Sequence, residues 1–90
     1  MQKILKYKLH IIGNMSISMP KNAWILTVQV QKGLLQIWAM VDTNETQEEN
    51  REFSVVTTGE QFNTYNQDYN YIGTFQTENG NFVGHLFEIV

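Results

Sequence analysis

The sequence predicts an all-β fold: a single compact antiparallel meander of about seven short strands, closed into a small barrel or folded into a sandwich. Apolar and polar residues alternate along most of the chain, which is the period of a β-strand. Gly and Asn residues stand between the alternating runs, where turns are expected. No segment has a convincing helical period, and the 90 residues suffice for one domain, predicted to span 1–90.

The clearest predicted element is a long hairpin over residues 24–42. Both of its arms alternate, and Lys32-Gly33 lies between them, where glycine accepts the positive φ of a tight turn. The alternation places Trp24 on the apolar face of the first arm and Trp38 on the polar face of the second. We expect a small core built on the two tryptophans together with the phenylalanines and tyrosines.

Two further strands are predicted before this hairpin. Residues 3–12 alternate, as do residues 15–19, and Gly13-Asn14 supplies the turn between them. Pro20 cannot donate a ladder hydrogen bond, so the second strand is expected to end there.

The segment after the hairpin is predicted to be irregular before strands resume. Residues 43–52 (TNETQEENRE) contain four glutamates and no apolar side chain, which indicates a solvated loop or a frayed helical turn. Residues 53–58 are β-branched and predict a strand, whereas residues 60–70 have no clear period. Residues 71–77 and 82–90 alternate and predict a closing hairpin.

Three features of this closing hairpin are specific. Asn79-Gly80 between two alternating runs is among the stronger short hairpin signals. Gly73 and Gly84 fall inside the predicted strands, where a missing side chain usually marks a bulge, a bend or a close approach of another group.

Composition excludes several classes of function. The chain has no cysteine, so neither a disulfide framework nor a thiolate metal site is expected. A net charge of −3 argues against a broad nucleic-acid interface, which needs clustered cations. Neither a signal peptide nor a membrane-spanning apolar run is recognised. We therefore expect a cytoplasmic protein with no membrane or nucleic-acid partner.

Catalytic signatures are also missing from the sequence. It contains no Walker A, GxGxxG, HExxH or GxSxG motif. The two histidines, His10 and His85, stand at opposite ends of the chain, where half-exposed strand positions explain them as well as a site would. We expect a binding protein without a cofactor, and not an enzyme.

Two groups of residues are candidates for binding an anion. Lys6, Lys8 and His10 form a stripe of potential cations on one strand face, which is equally typical of a solvated sheet whose edge is protected by lysine. Residues 57–59 (TTG) end a strand and offer hydroxyl and backbone N–H donors to a phosphate, or form a plain turn.

Two other positions are candidates for recognising a base or a phosphate. Trp38 lies beside Gln29 by alternation, and an indole with an amide can stack on a base and bond its edge; packing against a second sheet or a second copy is the alternative. Arg51 is the only arginine. It can clamp a phosphate bidentately or pair with Glu49 or Glu52.

Six stretches of strand sequence carry a resemblance to a known family: KYKL (6–9), MPKNAWILTVQVQ (19–31), IWAMVD (37–42), REFSVVTTG (51–59), YIGTFQ (71–76) and FVGHLFE (82–88). The chain resembles a family of small all-β proteins encoded mainly by phages. In size, compactness and phage association it is also similar to the proteins that phages use to sequester a nucleotide signal of bacterial immunity.

The resemblance implies a counter-defence protein of the host cell cytoplasm. It would bind a small nucleotide-derived ligand, such as a cyclic ADP-ribose isomer, without turnover, in a pocket between or beneath the subunits of a homo-oligomer. The contacts we then expect are stacking on Trp38, phosphate binding by Arg51, Lys8, Thr57, Thr58 and Gly59, and base or ribose contacts from Gln29, Gln76 and His85.

Three other functions remain open on the sequence. The main alternative is a protein-binding inhibitor of a host defence enzyme, docking through a strand edge or through the acidic loop 43–52. A structural accessory protein that merely oligomerises is the second. A nucleotide-degrading enzyme is the third, and it would need a site centred on a histidine such as His85.

Overall fold

The computed structural model describes residues 1–77 and 80–90, and these residues form seven β-strands. The strands are β1 (Gln2–Leu9), β2 (Gly13–Pro20), β3 (Trp24–Gln31), β4 (Leu34–Asp42), β5 (Glu48–Thr57), β6 (Tyr69–Gln76) and β7 (Val83–Ile89). Every pairing is antiparallel, and the described residues contain no α-helix. The predicted all-β fold class is confirmed.

The strands form two sheets, sheet A in the order β1-β4-β3 and sheet B in the order β2-β5-β7-β6. This order differs from the expected meander, because the connections β1–β2, β2–β3 and β4–β5 each pass from one sheet to the other. Among the described strands, only the hairpins β3–β4 and β6–β7 join neighbours in both chain and sheet. Alternation determines which face of a strand is apolar but not which strand lies beside it.

The core lies between the inner faces of the two sheets. Sheet A contributes alternate residues of its central strand β4, from Leu35 to Val41, and sheet B contributes Phe53, Val55 and Leu86. The most deeply buried large side chains are those of Phe53, Met19, Ile37 and Leu86. Apolar burial of this kind is the main favourable term in folding a domain of this size.

The β3–β4 hairpin forms as predicted, but a bulge in β3 reverses the face of the sheet to which the residues before the bulge point. Lys32 and Gly33 both have positive φ, 52° and 77°, as a two-residue type I′ turn requires. The register shifts between Ile25 and Thr27, so Trp24 points outward and is 67% exposed. The expectation that tryptophan builds the core is wrong for Trp24, and Trp38 is half-buried on the outer face of sheet A.

The acidic segment is shorter than predicted, because β5 begins at Glu48 rather than at residue 53. Its first residues pair with β2, Pro20 opposite Glu48 and Ile17 opposite Arg51, and this ladder overrides their low strand propensity. Only residues 43–47 connect β4 to β5. The predicted acidic loop 43–52 is therefore wrong over its second half.

The two strand glycines lie where another group approaches closely, as predicted. A Cβ at Gly73, which adjoins a second bulge, would stand 2.8 Å from Cγ1 of Val28, and a Cβ at Gly84 would collide with the ring of Phe75. Antiparallel pairing of β6 with β7 confirms the closing hairpin. Residues 78 and 79 of its predicted turn lie outside the described residues.

Residues 58–68 connect β5 to β6 without regular structure, in keeping with their lack of period. The ring of Phe62 packs on Phe87 and Tyr69, with centroid distances of 5.6 Å to each. Tyr71 adds a further edge contact to Phe87. This segment therefore lies against the outer face of sheet B.

Candidate functional site

The outer face of sheet A is not covered by any other described element. Its side chains are the outward-pointing ones of β1, β4 and β3, and the strand register arranges them in rows across the sheet. The first row is Ile4, Met40 and Trp24; the second is Lys6, Trp38 and Thr27; the third is Lys8, Gln36 and Gln29.

The second and third rows combine an aromatic ring with cations and amides. Lys6 Nζ donates a hydrogen bond to Gln31 Oε1 (3.0 Å), and this bond links the edge strands β1 and β3 across β4. Gln36 of β4, in the third row, is buried. Lys8 is exposed and Trp38 is half-buried. An indole face, ammonium groups and amides can stack on a base, pair with a phosphate and bond polar edges.

The charge on this face is opposite to that of the whole chain. Lys6, Lys8 and the turn residue Lys32 lie on or beside it, whereas Asp42, at the far end of β4, is the one acidic residue at an outward position of these strands. The net charge of the chain is −3. The acidic residues therefore concentrate elsewhere, and this face attracts anions locally.

A cleft of about 450 Å³ opens where the edge strand β3 of sheet A runs beside the edge strand β6 of sheet B. The bulges in both strands lie at this cleft, and the bulged residues Leu26 and Ile72 form part of its walls. Trp24 and Tyr71, which are 67% and 60% exposed, stand at its rim.

Arg51 forms the floor of this cleft and is engaged by acceptors of the protein itself. Its Nε pairs with Glu88 Oε2 and its Nη2 donates to Glu88 Oε1 (3.0 Å), while Nη1 donates to the carbonyl of Ala23 (2.8 Å) and approaches Glu49 (3.5 Å). Its side chain is only 17% exposed. The hydrogen bonds to Glu88 raise the pKa of Arg51, so its charge is permanent.

The predicted phosphate nest at residues 57–59 is occupied by a carboxylate of the chain itself. Gly59 has the positive φ of a turn, 87°, and Glu60 follows it. The backbone N–H and the hydroxyl of Thr57 both donate to Glu60 Oε1, at 2.9 and 3.1 Å. An anion does bind these donors, but it is a side chain three residues away.

His85 lies on the outer face of sheet B in a row of hydroxyl groups. Its Nε2 is 2.7 Å from Thr58 Oγ1 and its Nδ1 is 2.9 Å from Thr74 Oγ1, which in turn lies 2.6 Å from the hydroxyl of Tyr71. Both ring nitrogens are thus used in a network that links β7 to β6 and to the residue that follows β5. This bonding explains the position of His85 structurally.

The nine residues predicted to bind ligand fall into three separate places. Lys8, Gln29 and Trp38 share the outer face of sheet A, and Arg51 lies in the cleft. The remaining five belong to sheet B and the turn after β5: Thr57, Thr58, Gly59, Gln76 and His85. One small ligand on one protomer cannot contact all three places, and the binding role of each residue stays a prediction.

Sequence reasoning missed the cleft and most of its lining. Glu88, which binds Arg51, is separated from it by 37 residues in the chain. Trp24 is predicted to lie on the apolar face because the alternation of the sequence does not reveal the bulge in β3. Asn22 has a positive φ of 66°, and its position in the cleft follows from the turn between β2 and β3. The one sequence feature that indicates this turn is Asn22, which follows Pro20 and Lys21.

Two kinds of feature are absent from the described residues, 1–77 and 80–90. These residues contain no group of three or more His, Cys, Asp or Glu side chains arranged to hold a metal ion. Nor do they include a helix long and apolar enough to cross a membrane.

Comparison with known proteins places the chain in one family. No curated protein and no solved structure matches it. Residues 1–90 match a family described as a domain of unknown function (DUF7352), and the chain therefore belongs to that family.

Proposed function

We propose that this protein binds a small nucleotide-derived ligand on the outer face of sheet A and sequesters it without turnover. One observation carries the proposal: the fold gathers Trp38, Lys8 and Gln29 on a single uncovered face, although they come from three different strands. These residues supply stacking, charge and hydrogen bonding, the three kinds of contact that a nucleotide needs.

The arrangement of the rows suggests how a nucleotide would lie. The base stacks on the indole of Trp38, and the flanking Lys6 and Lys8 meet the phosphates from β1. Gln29, opposite Gln36 in the next row, reaches the edge of the base or the ribose. Arg51 and Thr57 take no part, because Glu88 and Glu60 already occupy their donors.

The proposal includes self-association of the protein. Ligand pockets bury most of their ligand, and an open sheet face cannot do so alone. The first row of the same face, Ile4, Met40 and Trp24, is apolar, with Ile4 57% exposed. A second copy seated on Ile4 and Met40 of this row covers them and encloses the ligand, and the anionic ligand offsets the repulsion between the lysines of the two copies.

The biological setting that we propose is phage counter-defence in the cytoplasm of the host cell. The bound ligand would be a cyclic ADP-ribose isomer or a related immune signal, whose free concentration the protein lowers so that its receptor stays empty. This part of the proposal rests on the resemblance described above.

The first test is thermal melting of the purified protein against a panel of cyclic and ADP-ribose-derived nucleotides, each recovered afterwards and checked for integrity. A ligand at about one hundred times its dissociation constant stabilises the folded state by about 2.7 kcal/mol, a shift of several degrees for a domain of this size. An intact nucleotide supports sequestration, whereas an altered one indicates an enzyme. If no nucleotide shifts the melt, the proposal fails and a protein partner becomes the better explanation.

Matched variants then test the position of the site. Trp38→Ala and Lys8→Ala should each reduce the shift caused by a binding nucleotide, because they remove the stacking surface and a phosphate contact. Lys21→Ala is the control: it removes the same charge from the turn between β2 and β3, away from this face. Equal losses in Lys8→Ala and Lys21→Ala would show that only net charge matters and would reject the site.

A further inference from the structure

The cleft between β3 and β6 has the properties of a second binding site, separate from Trp38, Lys8 and Gln29 on the outer face of sheet A. Trp24, at the end of the first row of that face, also lines the cleft. The cleft is open to solvent, has an aromatic residue on each rim, and its lining includes Asn22 and Asn70. We propose that it binds an uncharged planar group that both donates and accepts hydrogen bonds, as a nucleobase does. The inference holds whether or not the outer face binds phosphate.

The charges at the floor of the cleft exclude an anion. Arg51 is a cation, but its contacts with Glu88, Glu49 and the Ala23 carbonyl use four of the five N–H groups of a guanidinium: one on Nε, one on Nη2 and two on Nη1. A phosphate would compete with Glu88, which already holds the guanidinium in the bidentate arrangement. It would also approach two carboxylates, and that approach is repulsive.

The same floor is a poor site for a cation. Both oxygens of Glu88 face Arg51, so an incoming cation would meet the guanidinium charge before it met a free carboxylate. Glu49 is occupied as well, since its Oε1 accepts the backbone N–H of Asn22 at 3.1 Å. Arg51 and Glu88 thus neutralise each other inside the cleft, and the remaining negative charge is that of Glu49, whose side chain is 38% exposed and screened by water.

The groups of the cleft that are not used by the Arg51 network suit a flat, neutral, polar molecule. The two asparagine amides each supply a donor and an acceptor, and the guanidinium has one N–H left on Nη2. Asn70 is placed opposite Glu88 by the β6–β7 register, so its amide borders the Arg51 network. Trp24 offers an exposed indole for stacking, and Leu26 and Ile72 of the two bulges provide apolar walls.

The two tryptophans make a test possible, because Trp24 lines the cleft as well as ending the first row of the outer face of sheet A, whereas Trp38 lies only in the second row of that face. Trp38→Phe leaves Trp24 as the sole indole of the protein. Adenosine, guanosine, cytidine and uridine are titrated against this variant while its tryptophan emission is followed. At least one nucleoside should quench Trp24 saturably, and the affinity should not change when salt is raised to about 0.5 M.

A matched pair of asparagine variants locates the binding. In the Trp38→Phe background, Asn70→Ala should weaken nucleoside binding about 2- to 10-fold, the equivalent of one lost hydrogen bond. Asn50→Ala, an exposed position of β5 away from the cleft, should leave it unchanged. Melting curves of both variants must match their parent, so that a loss of fold cannot imitate a loss of binding.

Several results would overturn the inference. No saturable quenching by any of the four nucleosides rejects the site. If AMP binds more tightly than adenosine and its binding weakens with salt, the cleft prefers an anion. If tetramethylammonium quenches Trp24 as strongly as a nucleoside does, the cleft accepts a cation. Either result contradicts a site for an uncharged group. The reciprocal variant Trp24→Phe keeps only Trp38, and quenching by uncharged nucleosides there alone would place them on the outer face of sheet A. That last result contradicts nucleoside binding in the cleft but is compatible with the proposed function.

Discussion

At the scale of single residues, Arg51 is the side chain on which most of the structure near the cleft depends. It lies on β5, binds Glu88 of β7 in the same sheet and reaches the Ala23 carbonyl next to β3 of the other sheet. The guanidinium thus connects both sheets at the point where their edge strands separate. A lysine could not make these divergent contacts, because it lacks the planar fork of donors.

Replacing Arg51 should destabilise the protein rather than simply empty a site. Arg51→Ala leaves Glu88, which is 8% exposed, as a nearly buried carboxylate without its partner. We expect a loss of about 3 kcal/mol in the free energy of unfolding, measured by urea denaturation. Arg51→Met with Glu88→Leu should recover a large part of it. If the single and double variants are equally unstable, the cost comes from lost packing and not from the orphaned charge.

Tyr7 should make the stability of the protein depend on alkaline pH. Tyr7 packs against the core from β1, and burial, with a smaller effect from the negative charge of Glu48, raises its pKa. The folded state therefore keeps the phenolic proton at pH values where the unfolded chain has lost it. This contribution is complete below the unfolded pKa of about 10 and is lost as pH rises through the higher folded value.

The measurement compares wild type with Tyr7→Phe by urea denaturation from about pH 8 to about pH 11. All other ionisable groups are the same in both proteins, so the difference between the two is the quantity of interest. The free energy of unfolding of wild type should fall more steeply above about pH 10 than that of Tyr7→Phe. Parallel curves would show that Tyr7 ionises equally in both states.

At the scale of elements, the β6–β7 hairpin is shaped by the two glycines that lie within its strands. Gly84 lies opposite Phe75 in the register, and the phenylalanine ring covers the space that a side chain would take. Gly73 lets β6 approach Val28 of β3 across the two sheets. Neither glycine has a positive φ, so glycine is required at both positions because a larger side chain would not fit.

Gly84→Ala should therefore disturb the packing of Phe75 and not the backbone of β7. The added methyl group displaces a buried ring, and overpacking of this kind costs about 1–3 kcal/mol in the free energy of unfolding. Combining Gly84→Ala with Phe75→Leu should cost less than the two single changes added together, because the smaller side chain makes room. Strict additivity in thermal or urea melts would argue against this contact.

The same elements show where strand prediction succeeds and where it fails. The turn at Lys32-Gly33 and the closing hairpin are local features, and the alternation that flanks them is enough to predict both. The bulges at Leu26 and Ile72 insert one residue each, and the alternation on either side gives no warning of them. The early start of β5 depends on β2, which supplies a pairing partner more than 25 residues away in the chain.

At the scale of the whole molecule, the two outer surfaces differ in what covers them. Residues 58–68 lie against the outer face of sheet B through Phe62, whereas the outer face of sheet A keeps Ile4 and Trp24 of its apolar row exposed to solvent, with Met40 half-buried between them. Exposed apolar side chains that are contiguous usually mark an interaction surface. This asymmetry is the reason for placing self-association on sheet A.

Ile4→Glu should accordingly shift the protein toward the monomer. Two copies that meet through this row would each bury a carboxylate in an apolar contact, which is unfavourable without a partner charge. Sedimentation velocity over a range of protein concentrations gives the mass directly. Tyr65→Glu adds the same charge at an 80% exposed position in the segment that covers sheet B, and should leave the mass unchanged. A wild-type protein that stays monomeric with and without nucleotide would contradict the proposed assembly.

The sequence by itself determined the all-β class, most strand positions, the Lys32-Gly33 turn and the outward placement of Trp38, Lys8 and Gln29, whereas the turn predicted at Gly13-Asn14 lies within β2. Each of these follows from local alternation or from the φ requirements of one residue. Only the tertiary structure decided the order of strands in two sheets, the pairing of Arg51 with Glu88 and the cleft between β3 and β6. These features depend on contacts between residues far apart in the chain, which a one-dimensional period cannot encode.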